Sequence, residues 1–137
     1  MGERRKSREV LLQLLFQAEV NTPNTEKFLE HFPQVPEVSE RAEKLFIEIW
    51  EKKKSLDSII EEASENWKMS RMSLVDRNIL RLACYELYYC KDVPMEVVFD
   101  EAIEIAKRYG TGESPSFVNG ILDKIRLLDK MREGKPL

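Results

Sequence analysis

A chain of 137 residues fits one domain, and 42% hydrophobic content supplies a real core at that length. Five glycines and six prolines leave few residues for turns, which argues against an all-β fold and for long helices on short loops. The formal net charge of -3 excludes a generally basic nucleic-acid binder, yet residues 1–8 hold Arg4, Arg5, Lys6 and Arg8 against Glu3, a local +3 on a body of -6.

On charge alone that basic start has two readings, a frayed solvated terminus or a directed contact with an anion. No secretory signal is visible, because the start is charged and Gln13 interrupts the apolar run 10–16. Nothing approaches the roughly 20 apolar residues of a membrane span. Cys84 and Cys90 fall on different faces of one predicted helix, about 9 Å apart along its axis at 1.5 Å per residue. Both are read as buried, reduced thiols of a cytoplasmic protein.

The first helix is predicted over Ser7 to Val20, with Ser7 as N-cap unless the basic residues extend it. Leu11, Leu14, Leu15 and Ala18 form its core stripe at three- and four-residue spacing. Pro23 breaks it, and a short helix is expected over Thr25 to Phe32. Ser39 is the expected cap of a helix through Lys53, with Ala42, Leu45, Phe46, Ile49 and Trp50 inward. The next, Leu56 to Trp67, buries Ile59, Ile60 and Ala63. Met72 to Cys90 is apolar nearly all round and belongs at the centre of a bundle. Asp92-Val93-Pro94 starts a helix that ends at Tyr109, with Gly110 as its left-handed stop. Ser114-Pro115 reads as N-cap and first position of a last helix through about Met131. Its stripe is Val118, Ile121, Leu122, Ile125 and Leu128, and Gly120 within it predicts a close approach by another backbone.

Candidate chemistry is sparse. His31 is the one histidine and there is no Cys-x-x-Cys, so neither a metal site nor a cofactor is expected. Gly110-Thr111-Gly112-Glu113-Ser114 lacks the Gly-Lys-Ser/Thr of a phosphate-binding loop, although amides at the following helix start are placed to accept a phosphate. The acidic pairs Glu61/Glu62 and Asp100/Glu101 read as solvated faces, since neighbours on a helix diverge by about 100°. No catalytic constellation can be assembled, which predicts a binding protein and not an enzyme. Two binding features remain. With Val10 at zero, the core stripe of the first helix centres near 80°, whereas Leu12, Phe16 and, if helical, Arg5 fall at about 200°, 240° and 220°. A guanidinium and an aromatic ring sharing that face suit RNA, and a second packing face is the competing reading. Phe117 stands at the edge of the last helix's stripe, as a base-stacking post or as a core ring closing the helix end.

Taken together, Val75-Asp76-Arg77-Asn78-Ile79-Leu80-Arg81-Leu82-Ala83 with Tyr85-Glu86-Leu87, then Asp92-Val93-Pro94, Asp100-Glu101-Ala102-Ile103-Glu104-Ile105-Ala106-Lys107 and Phe117-Val118-Asn119-Gly120-Ile121-Leu122-Asp123-Lys124 resemble the NusB family of bacterial transcription antitermination factors. With the basic start the resemblance spans nearly the whole chain, while 21–70 match in helical pattern alone. It implies an all-α fold, a seven-helix bundle of two packed three-helix sub-bundles in a single domain, 1–137. It also implies binding of single-stranded boxA RNA together with the ribosomal protein NusE, and action with RNA polymerase, NusA and NusG on ribosomal RNA transcription. By position, the resemblance assigns RNA contact to Arg4, Arg5, Lys6, Arg8, Phe16, Glu113 and Phe117, and contact with NusE to Asp76. Ser116 departs from the pattern, standing where the family often has a basic residue. A homodimer remains open, and a helical protein–protein adaptor without RNA is the alternative function.

Overall fold

The structure, a computed structural model, describes residues 2–21, 36–65 and 67–131. Among them it is all-α: α1 (Gly2–Asn21), α2 (Pro36–Glu51), α3 (Lys53–Ala63), a 3-10 turn (Met69–Arg71), α4 (Leu74–Tyr89), α5 (Met95–Tyr109) and α6 (Ser114–Met131). The chain separates into two compact units, Met1–Lys52 and Lys53–Leu137. The described residues hold two helices in the first unit and four in the second, where seven helices in two groups of three are expected. The short helix expected over Thr25 to Phe32, and His31 with it, lies outside the described residues. No helix among them is long and apolar enough to cross a membrane.

In the first unit α1 packs on α2. Leu11, Leu14, Leu15 and Ala18 are buried as their spacing predicts, and so are Ala42, Phe46 and Ile49. Leu45 and Trp50 are half-buried, and the Trp50 ring stacks on Phe46 at 5.7 Å. Both expected caps are displaced. Ser7 lies inside α1 and is buried, because the basic residues before it are helical, and Ser39 lies inside α2, which opens on Pro36. Proline suits a first turn, where its missing N–H is no loss.

In the second unit α4 touches α3, α5 and α6. Every residue from Asn78 to Glu86 is buried, which is why a helix apolar nearly all round occupies this centre. Ser73 caps α4, its Oγ accepting from the Asp76 amide at 3.0 Å. Asn78 and Arg81, two polar residues in this core, are satisfied. Asn78 Nδ2 donates to the Leu74 carbonyl at 2.8 Å, and Arg81 Nη1 donates to Asn78 Oδ1 at 2.9 Å. Cys84 is buried but Cys90 is half-exposed, because the helix ends at Tyr89 and Cys90 caps it.

Helix α3 stops at Ala63 instead of running to Trp67. Glu65 takes a left-handed φ of 58°, a turn conformation that glycine adopts more easily. The Ser64 amide still donates to the Ile60 carbonyl at 2.9 Å, a helical bond that precedes this turn. The acidic pairs are not simply solvated. Glu101 is buried on the face it shares with Val98, Ala102 and Ile105, and Glu61 Oε2 accepts from the Met69 amide at 2.8 Å.

Both glycines singled out in the sequence behave otherwise than expected. Gly110 has φ -95° and ψ -166°, extended backbone and not left-handed. Glycine is needed there because a β-carbon would collide with the Ser114 side chain and come within 2.9 Å of the Ala106 carbonyl oxygen. Gly120 is exposed, and a β-carbon there would meet nothing within 4 Å, so no backbone approaches it.

Candidate nucleic-acid interface

The residues assigned to RNA fall into two groups, one in each unit. On α1, Arg4 and Arg5 lie within the helix, Lys6 is exposed and Arg5 and Phe16 are half-buried. The wheel therefore holds: Arg5 is helical and in line with Phe16 on the flank away from the main stripe. Leu12, on that same flank, is buried, as the packing-face reading has it. Arg8 retains only 8% of its surface, and neither Arg5 nor Arg8 is a free cation. Lys6 is the described cation of this segment that stands openest to an anion.

The second group surrounds the start of α6. The Glu113 carbonyl accepts from the Phe117 amide at 3.0 Å, so Glu113 occupies the cap position expected of Ser114. Ser114 is buried and points back, its Oγ accepting from the Thr111 amide at 2.9 Å. The Glu113 amide donates to Thr111 Oγ1 at 3.3 Å and the Ser114 amide to the Thr111 carbonyl at 3.1 Å. Three amides are thus spent inside the loop, and Pro115 has none to give. The phosphate cradle expected at this helix start is largely consumed by the turn itself. The Glu113 side chain and Ser116 are exposed.

Phe117 is half-buried and meets Trp67 edge-to-face, ring centroids 6.3 Å apart at 63°. The spacing 60, 63, 67 continues the α3 core stripe, which disguised Trp67 as a core residue of that helix. In fact it stands in the loop beyond the helix with 48% of its surface exposed. The ring that meets Phe117 was therefore not among the assigned residues.

Asp76, the position assigned to a protein partner, sits in the first turn of α4, where the helix dipole favours a carboxylate. Its Oδ1 is shielded from solvent and accepts no hydrogen bond. The residue as a whole is half-buried. Beside it, Arg77 Nη1 donates to the carbonyls of Met69 at 3.2 Å and Met72 at 3.4 Å, holding the 3-10 turn against α4.

Comparison with known proteins places this geometry. A NusB from T. maritima superposes with a TM-score of 0.84 at 43% identity, covering 96% of this chain and 95% of that one. The NusB in a crystal structure of the antitermination factors NusB and NusE with dsRNA superposes with a TM-score of 0.80 at 26% identity, covering 93% and 98%. A transcription antitermination protein NusB of Desulfosudis oleivorans is 44% identical over 135 residues, 91% of this chain and 86% of the relative. One of Desulfatibacillum aliphaticivorans is 43% identical over 131 residues, 93% and 92%. The architecture is that of the helical antitermination factors. Residues 5–126 match the NusB family, and the chain belongs to it.

Proposed function

We propose that this protein is a transcription antitermination factor that binds single-stranded boxA RNA together with NusE and supports processive ribosomal RNA transcription. The observation that carries the reading is family membership over nearly the whole chain, with a relative solved in complex with NusE and dsRNA. In this reading it acts in the cytoplasm as a binding protein and not an enzyme, within an assembly of RNA polymerase, NusA and NusG.

Residue roles follow from chemistry and exposure. Arg4, Arg5 and Lys6 supply salt-sensitive attraction to phosphates. Arg8, at 8% exposure, contributes to the field of that segment more than to a direct contact. Phe16 and Phe117 offer ring surface to unstacked bases. Glu113, exposed before α6, is an acceptor for base or sugar donors of RNA. Asp76, half-buried in the first turn of α4, presents the exposed part of its carboxylate to NusE. In this reading NusE raises the affinity for RNA, and RNA then raises that for NusE by the same factor, because coupling between two ligands is reciprocal.

The test is filter binding of the full chain to a short boxA-like RNA across a salt series, with and without NusE, against a duplex of the same sequence. Tighter binding of the single strand, strengthened by NusE, is expected. Absence of RNA binding at low salt in both arms would leave a helical adaptor that works without RNA.

A further inference from the structure

The loop after α3 holds an indole where the helical pattern continues towards the core, and its backbone is tied down on both sides. Ser64 Oγ donates to the Trp67 carbonyl at 2.6 Å, and the Trp67 amide donates to the Ser64 carbonyl at 3.2 Å. Two residues on, the Met69 amide is held by Glu61 at 2.8 Å. The Trp67 backbone is thus held at both its amide and its carbonyl. An edge-to-face contact occupies one edge and one face of a pair, and here 48% of Trp67 stays exposed while Phe117 is half-buried.

Helix α6 adds an independent observation. Gly120 lies one turn beyond Phe117, about 60° around the helix at 100° per residue. No neighbour and no unusual φ requires glycine there, since a β-carbon would meet open space. Glycine inside a helix is unfavourable by up to about 1 kcal/mol relative to alanine. An exposed, bare stretch of helix one turn from the half-buried Phe117 and its exposed neighbour Trp67 is where the backbone of another molecule lies close. The charges suit a polyanion. Lys68, next to Trp67, and Arg71 are exposed. Lys124, two turns after Phe117, pairs with Glu65 at 3.3 Å, so that carboxylate is partly neutralised.

We propose that Trp67 and Phe117 together form a two-ring platform for one unstacked nucleobase of single-stranded RNA, with Gly120 leaving room for the strand's sugar–phosphate beside it. The inference rests on the RNA-binding reading above and adds Trp67 and Gly120 to it. Two rings with the exposed Lys68 next to one of them match a base followed by its phosphate, because every base offers a π-face and every linkage a negative charge.

The test measures binding of the full chain, with NusE present, to a boxA-like RNA and to a set in which each nucleotide in turn is made abasic. Trp67→Leu is expected to weaken binding about tenfold, within the roughly 1–3 kcal/mol of a base–aromatic stack at 1.4 kcal/mol per tenfold. Trp67→Phe keeps most of the affinity because a ring remains. One abasic position costs the wild type about as much as Trp67→Leu does, and costs that variant little further. Gly120→Ala weakens binding with an unchanged or higher Tm. If the wild type binds and Phe117→Ala weakens binding but Trp67→Leu does not, the platform is wrong and the RNA reading stands. If Trp67→Leu weakens binding to every abasic RNA equally and lowers Tm, Trp67 merely supports Phe117 and the proposal falls. If the wild type binds no RNA, both readings fall.

Discussion

Arg81 grips Asp57 through two parallel hydrogen bonds, Nε to Oδ1 at 2.7 Å and Nη2 to Oδ2 at 2.9 Å, and so clamps α4 to α3. The arginine side chain is 4% exposed and the aspartate side chain 21%. The same guanidinium holds Asn78, so one side chain satisfies polar groups on two helices. Removing one partner of a buried pair costs about 3–5 kcal/mol, and the exposed part of Asp57 lowers this to about 2–4 kcal/mol for Asp57→Ala. Arg81→Lys also destabilises, because an ammonium cannot reproduce the planar fork. Denaturant unfolding of the full chain measures both, and a loss below about 0.5 kcal/mol, the range of ordinary surface changes, would show that the clamp is dispensable.

The junction of α5 and α6 depends on a missing side chain. Gly110→Ala drives a β-carbon into Ser114, whose Oγ is already committed to the Thr111 amide. Overpacking of this kind costs about 1–3 kcal/mol. Adding Ser114→Gly removes the collision with Ser114 and leaves only the contact with the Ala106 carbonyl, so the double variant should lose less than the two single losses summed. Thermal unfolding of all three variants gives the coupling, and strict additivity would contradict the collision.

Replacing Arg4, Arg5 and Lys6 with glutamine is expected to flatten the dependence of log K on log salt for RNA binding. Each phosphate contact removed lowers the slope by about 0.7 for a single strand. Substitution tests this better than truncation, because Ser7 and Arg8 are buried within α1 and their removal disturbs the helix. Arg8→Gln should therefore lower Tm more than it changes the slope. An unaltered slope in the triple variant would remove the basic segment from the RNA contact.

Phe117→Ala is expected to weaken RNA binding by roughly 1–3 kcal/mol while binding to NusE stays nearly intact. It also withdraws the ring against which Trp67 rests, so Trp67 fluorescence should change in the absence of RNA. Equal losses of RNA and NusE binding together with a lowered Tm would mark Phe117 as a packing residue.

The helices themselves were legible because their signal is local. Leu11, Leu14, Leu15 and Ala18 in α1, or Val118, Ile121, Leu122 and Ile125 in α6, state which face is buried before any partner is known, and all eight are buried. The central place of α4 was legible for the same reason, since a helix with no polar face has nowhere else to go. Of the assigned site residues, Lys6, Arg5, Phe16 and Glu113 retain exposure, whereas Arg8 does not.

What the amino-acid order determined by itself is the all-α class, the inward face of each helix and the family, all of which follow from spacing and motif order along the chain. Tertiary structure decided the fate of the ambiguous side chains. Ser7, Ser39 and Ser114 each carry a capping hydroxyl, but a cap exists only where a helix begins, and these helices begin at other residues. Glu101 is an acidic residue yet is buried, on the face it shares with Val98, Ala102 and Ile105. Gly110 and Gly120 look alike in sequence, and one is crowded by Ser114 while the other faces open space. Spacing alone puts Phe117 at the edge of its stripe, compatible with core and with surface. The turn at Glu65 set an exposed Trp67 against it, a pairing between residues fifty positions apart that no local pattern encodes.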